Sequence, residues 1–231
     1  LLRLLRNEPS ADALDAIALS YTRGSDPLKL MRAGNGKPVS QSTVPKLDCP
    51  LSAEADEGQL LADVADYYHR RLSQNPAALE YLKARGLDDD ELINKFRIGF
   101  ADRSLGLRMP ERNRVTGAAL REKLTAAGVY RKSGHEHLNG CIVVPVTDAG
   151  SNQIVQLYGR RIDPKAPKDK RHLYLARPLA GVFNPEALKQ RELILCESIL
   201  DALTFMRHGM EATCSFGTSN FSDELFEAIK S

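Results

Sequence analysis

The stretch Leu193-Ile194-Leu195-Cys196-Glu197-Ser198-Ile199-Leu200-Asp201-Ala202-Leu203 reads as an apolar strand running straight into a helix. A short, continuously apolar run of this kind predicts a buried parallel strand. The helix is expected from Ser198 to about His208, with Gly209 as its stop. Ala212-Thr213-Cys214-Ser215-Phe216 follows as a second strand and Phe221 to Ile229 as a second helix, a β-α-β-α series that predicts the opening of an α/β sheet. Glu197 falls directly after the first strand and Asp201 four residues on. Ligands of open α/β sheets bind at the carboxyl ends of the strands, where these two acids stand. Two readings are open. The carboxylates are hard oxygen ligands for Mg²⁺ bound together with phosphate, or they are acids that favour a helix N-terminus. Gly217-Thr218, ahead of a helix capped by Ser219 or Ser222, either offers backbone N–H groups to an anion or is a glycine turn required by sterics.

Upstream of this stretch, segment 151–178 carries seven Arg and Lys against two Asp, a local charge of +5, whereas segment 192–231 carries seven acids against two bases, −5. The whole chain sums to only +2. A basic surface beside an acidic site suits metal-assisted chemistry on phosphates, and two ordinary solvated faces give the same count. Within the basic segment, Arg160-Arg161 at a strand end and Lys170-Arg171-His172 ahead of Tyr174 are candidates to grip phosphates or stack on bases. Ile142–Val146 and Ile154–Arg160, joined by Asp148-Ala149-Gly150, predict a β-hairpin. Helices are expected over 57–73, over Pro76–Arg85 closed by Gly86, from the acidic quartet Asp88–Glu91 onward, and over 117–127 closed by Gly128. Phe96-Arg97-Ile98-Gly99-Phe100 alternates like a short strand, and the quartet reads as helix-start charge. His135 and His137, in a glycine-bounded turn without cysteine partners, do not read as metal ligands. Further upstream, residues 10–23 read as a helix with Ser10 as N-cap, and Gly24 to about Ser52 reads as a linker.

The 231 residues are 42% hydrophobic, 27% charged and 6% aromatic, enough for one medium domain or two small ones. No run approaches the roughly 18 apolar residues of a membrane span, and Leu1–Arg6 lacks a signal-peptide layout. A cytoplasmic protein without membrane partners is expected. The four cysteines, at 49, 141, 196 and 214, are too scattered for metal knuckles and read as buried thiols. The chain starts with Leu and stops after an amphipathic stretch, so it is expected to be an excerpt of a longer protein.

Taken in order, these pieces resemble the RNA-polymerase core of bacterial-type, DnaG-like DNA primases, including relatives on phages and mobile elements. The resemblance begins with Ala78-Leu79-Glu80-Tyr81-Leu82-Lys83-Ala84-Arg85-Gly86-Leu87 and Phe96-Arg97-Ile98-Gly99-Phe100-Ala101, similar to that family's helical motif and its F-x-I-G-[FY]-A segment. It resumes at Ile142–Gly150, similar to the apolar strand and turn FPI-x-D-x-x-G, and at Tyr158-Gly159-Arg160. Tyr174-Leu175 with Pro178 resembles the element K-Y-L-N-S-P, Leu195–Leu203 resembles the opening of a toprim domain, and Phe216-Gly217-Thr218 resembles its next strand and turn.

The resemblance implies a mixed α+β and α/β fold: a tail and linker over 1–52, a basic, nucleic-acid-facing primase subdomain over 53–188 and the first half of a Rossmann-like toprim sheet over 189–231. It implies RNA primer synthesis on single-stranded DNA. Glu197 would be the catalytic acid that helps hold Mg²⁺ or Mn²⁺, with Asp201 in support. Arg160, Arg161, Lys170, Arg171, His172, Tyr174, Arg177, Gly217 and Thr218 would contact template or nucleotide. Partners would be the template, ribonucleotides and a replicative helicase. Zinc would belong to a ribbon outside this chain. Three departures stand out. Leu173 and Ala176 replace the usual Lys and Asn, Cys141 stands where an Arg is usual, and no Asp-x-Asp strand follows before Ser231. This chain alone is therefore expected to be inactive. Two rival readings are an inactive DNA-binding or helicase-associated module and a different toprim enzyme, such as a topoisomerase or nuclease.

Overall fold

The computed structural model describes residues 48–217 and 221–230. The expected helix over 10–23 with its Ser10 cap, the linker up to residue 47, and the candidates Thr218 and Ser219 lie outside the described residues. The end of the expected linker is not a free segment. Leu51 is buried, Cys49 packs on the core, and Lys123 Nζ donates to the carbonyls of Ala53 and Ala55 at 2.6 and 2.9 Å.

Helix α1 (Glu57–Leu72) starts where the Asp56 carboxylate accepts the Gln59 N–H at 2.8 Å, and it buries the face Leu60, Leu61, Val64, Tyr67, Tyr68 and Leu72. Helix α2 (Pro76–Ala84) has Asn75 as its cap and Pro76 at the first turn, and Gly86 leaves it at φ +66°. Helix α3 (Asp90–Lys95) is capped by Asp89, while Asp88 pairs with Arg207 at 3.0 Å, so the first two acids of the quartet have structural partners and the other two stand in the first turn of the helix.

The expected strand at Phe96 begins later. Strand β1 is Gly99–Ala101 only, because Phe96 still donates its N–H to Leu92 and Ile98 closes back on Ile93. Arg97 between them takes a left-handed φ of +48° and pairs with Asp66, an ending that period-2 alternation does not reveal.

After the single turn α4 (Leu105–Arg108) and helix α5 (Val115–Ala126), the hairpin forms as expected from β2 (Cys141–Thr147) and β3 (Ile154–Arg161). Asp148 closes its turn by accepting from the N–H groups of Gly150 and Ser151. With β4 (His172–Tyr174) the antiparallel sheet runs β1-β2-β3-β4. Both of its faces are covered, which is why β2 reads as continuously apolar. Cys141, Val143 and Leu157 pack with α1 and α5, and Ile142, Val144, Val146 and Tyr158 pack with α2 and α3 on the other side.

The second cluster also takes in the C-terminal unit: β5 (Ile194–Cys196), helix α6 (Ile199–Arg207) and β6 (Ala212–Cys214), with β5 and β6 parallel. The expectation of a fully buried β5 is corrected: Cys196 is buried, but Leu195 is 45% exposed, because among the described residues only one face of this pair is covered. The last helix, α7 (Asp223–Lys230), is capped by Ser222, whose Oγ accepts the Leu225 N–H at 3.1 Å. Among the described residues no helix is long and apolar enough to cross a membrane.

Candidate nucleic-acid and nucleotide interface

Strand alternation sends Arg160 and Arg161 to opposite faces of the sheet. On the face shared with the C-terminal unit, Arg160 Nε donates to the Tyr81 hydroxyl at 3.0 Å, and its terminal nitrogen Nη1 is hydrogen-bonded to His172 Nε2. The β3–β4 register puts His172 directly opposite Arg160. His172 Nδ1 meets the Tyr158 hydroxyl at 2.9 Å, and the Arg85 guanidinium lies over the Tyr81 ring, 4.9 Å from its centre. Two cations thus converge on one aromatic patch. Burial, then Arg160 and Arg85, push His172 below the ordinary histidine range, against the pull of Asp201 and Glu197.

Tyr174 continues the patch toward the acidic turn. Its ring packs against Tyr158 and edge-on against Phe216, at 5.5 and 5.7 Å, and its hydroxyl donates to the Phe216 carbonyl at 3.3 Å. Phe216 is left-handed at φ +61°, and Gly217 returns its N–H to the Glu197 carbonyl at 2.8 Å. Glu197 itself is exposed and its carboxylate hydrogen-bonds no described residue. Asp201 is engaged: the Ser198 hydroxyl donates to it at 2.8 Å and accepts its N–H, a reciprocal cap on α6. Both carboxylates stand near enough to His172 to oppose the lowering of its ionisation. No group of three or more His, Cys, Asp or Glu among the described residues could hold a metal ion by itself. The donor set fits Mg²⁺, which typically takes one or two carboxylates together with substrate phosphates.

The opposite face carries a second basic site that the sequence reading touched only through Arg161. A cleft of about 540 Å³ is lined by Arg103, Arg112, Arg121, Arg131, Arg161 and Tyr130, with Glu136 in its wall. The Tyr130 hydroxyl and Arg161 Nε are buried without a hydrogen-bond partner, an arrangement that leaves donors for an anionic ligand. Arg121 is held by the carbonyls of Pro110 and Gly117 at 2.7 and 2.9 Å. Arg131 Nε donates to His137 Nδ1 at 3.2 Å, so the other ring nitrogen of His137 donates to the Tyr174 carbonyl at 2.9 Å. The Glu136 carboxyl is pushed up by burial, against the hydroxyl that Tyr68 donates to it at 3.1 Å. Tertiary structure gathers these arginines from three loops, helix α5 and the end of β3. The available signal was local charge: residues 103–132 hold eight Arg and Lys against two Glu.

The remaining candidates do not join either cluster. Arg171 folds back on its own loop, donating to the carbonyls of Ala166 and Pro164 at 3.0 and 3.1 Å. Arg177 pairs with Glu57 at 2.5 Å, and Lys170 is exposed on a 3₁₀ turn. Tyr81, Arg85 and Tyr158 are site residues that the sequence reading did not assign, although the first two lie in the helical motif it quoted.

The family model for the DNA primase catalytic core, N-terminal domain, matches residues 67–188, more than half of the chain. The DNA primase of Haemophilus influenzae is 25% identical over 190 residues, covering 75% of this chain and 30% of its own length. That of Aquifex aeolicus is 29% identical over 178 residues, covering 71% of this chain and 34% of its own length. The chain therefore spans about a third of the length of the curated relatives it matches. The fold is similar to that of a DnaG primase catalytic domain bound to single-stranded DNA, with a TM-score of 0.54 and 24% identity over 74% of this chain and 60% of that one. It is also similar to a Pseudomonas aeruginosa DNA primase domain, with a TM-score of 0.60 and 21% identity over 76% of this chain and 58% of that one.

Proposed function

Because this chain belongs to the DNA primase catalytic-core family, we propose that it is part of an enzyme that joins ribonucleotides into short RNA primers on single-stranded DNA. One observation carries the reading: Arg160, clamped by Tyr81 and His172, belongs to an aromatic patch that runs through Tyr158, Tyr174 and Phe216 to the turn at Glu197. In this reading Arg160 and Arg85 bind the phosphates of a nucleotide or of the template end. Glu197, with Asp201 behind it, holds Mg²⁺, which when bound offsets the charge that develops as a 3′-hydroxyl displaces pyrophosphate. The arginine cleft on the other face takes the template backbone, a grip that is largely independent of sequence. That a related DnaG catalytic domain binds single-stranded DNA supports this assignment. The strand, glutamate and helix over 194–203 support reading 189–231 as the opening of a toprim domain after the primase subdomain of 53–188. A replicative helicase partner, a cytoplasmic location and origin in a mobile element complete the proposal.

A second reading, a DNA-binding module without catalysis, is favoured by two observations. Cys141, where the family usually has Arg, is fully buried, and Leu173 packs against the apolar core, so neither position reaches a nucleotide. One experiment separates the two. The complete protein is assayed for primer synthesis on single-stranded DNA with Mg²⁺, beside Glu197→Gln. Synthesis that drops at least about a hundredfold in the variant is expected, the loss of a group acting on the transition state. Undiminished synthesis removes Glu197 from the mechanism, and wild-type protein that binds DNA without synthesis establishes the second reading.

A further inference from the structure

We propose that His172 is a positioning residue: as a neutral imidazole with its proton on Nδ1, it holds Arg160 on the Glu197 side of the sheet, and its protonation releases that arginine. The inference rests on the reading of Arg160 as a phosphate-binding group and adds a control on it.

The hydrogen-bond inventory forces the tautomer. A guanidinium has donors only, so the bond between Arg160 and His172 Nε2 needs the imidazole lone pair at that nitrogen. The proton then sits on Nδ1, which donates to the Tyr158 hydroxyl at 2.9 Å. Tyr158 is a fixed support, fully buried, with its own ionisation pushed far up by burial and Tyr174. Arg160 is thereby held at two points, Nε on Tyr81 and one terminal nitrogen on His172, and the rest of its fork is left for a ligand. A fork fixed in this way loses less freedom when it takes up a phosphate oxygen.

A second proton on His172 reverses the contact. Nε2 becomes a donor facing a donor, and two positive charges meet. The ring contacts Arg160 from β3 and the Tyr158 hydroxyl, and the charges that bear on it from further off are Arg85 at the end of α2 and Glu197 and Asp201 of the C-terminal unit. Burial and the two arginines outweigh the two acids, so the neutral ring prevails at neutral pH and is lost only on acidification. His172 is therefore a positioning residue whose effect is felt through Arg160.

The test measures binding to the full chain at pH 8.0 and in steps down to pH 4.5 with two probes, a labelled oligo(dT) and a fluorescent ribonucleoside triphosphate. Arg160→Ala at each pH serves as reference, which cancels the change of charge on the probes. Arg160→Ala is expected to weaken at least one probe by about tenfold at pH 8.0, the size of one charge-assisted hydrogen bond, and the affected probe identifies the phosphate that Arg160 holds. For that probe the advantage of wild type over Arg160→Ala is expected to shrink at least about fivefold across the series, with its midpoint below the ordinary histidine range. His172→Gln, whose Oε1 accepts but does not titrate, is expected to keep the advantage throughout, and His172→Phe is expected to lose it throughout. An advantage that does not shrink in wild type, or that shrinks equally in His172→Gln, overturns the role of His172. Unchanged binding of both probes in Arg160→Ala overturns the underlying reading instead.

Discussion

Arg161 shows what a single residue's surroundings can decide. Its neighbour Arg160 has its Nε satisfied by a tyrosine, whereas the Arg161 Nε is buried and unpaired on the wall of a cleft with four further arginines. An unmet buried donor is costly unless a ligand meets it. If template phosphates fill that cleft, Arg161→Met should weaken the binding of single-stranded oligonucleotides about equally whatever their sequence. It should also lower the slope of log affinity against log salt by about 0.7, the contribution of one phosphate contact to a single strand. An unchanged slope would take Arg161 off the phosphate surface. Arg177, spent on Glu57, gives the contrast: its replacement by Ala should leave the slope alone. The sequence showed a pair of arginines at a strand end, but which one meets a ligand depends on loops more than twenty residues away, such as the one that brings Arg131 to the cleft.

At the scale of elements, the parts with local rules were legible. The hairpin, the Ser198 cap on α6 and the glycine stops at 86, 128 and 209 follow from turn and cap chemistry, and all three glycines are left-handed. The parts that depend on a neighbour were not. β1 is short because Arg97 turns back to Asp66, and β5 is half exposed because only one side of it is covered. The tightest neighbour relation is the crossing of α1 over β1. A Cβ on Gly99 would stand 2.5 Å from the backbone carbon of Tyr68, so the strand touches the helix with no side chain between them. Gly99→Ala should accordingly cost about 3 kcal/mol, read as a lower denaturant midpoint at unchanged m-value, since backbone has to move to admit the methyl. A loss below about 0.5 kcal/mol would mean that the crossing is looser than this geometry.

For the molecule as a whole, the change from antiparallel to parallel pairing happens within one apolar cluster. Ile142 and Val144 of the first sheet share it with Cys196, Leu203 and Cys214 of the C-terminal unit. Local opening of either part should therefore expose the other, and the two should exchange amide hydrogens as one cooperative unit. Leu203→Ala, a cavity at the base of α6, should lower protection at Val144 by about 3 kcal/mol along with that of α6 itself. Protection at Val144 that stays at its wild-type level would show that the two sheets open independently. In β3, alternation gives odd and even positions to different surfaces. A one-residue slip of that strand would trade Arg160 for Arg161, taking the Tyr81 partner from the one and the arginine cleft from the other. An insertion of one residue within β3 ahead of Arg160 would therefore exchange the faces of the two arginines and separate both from their surroundings.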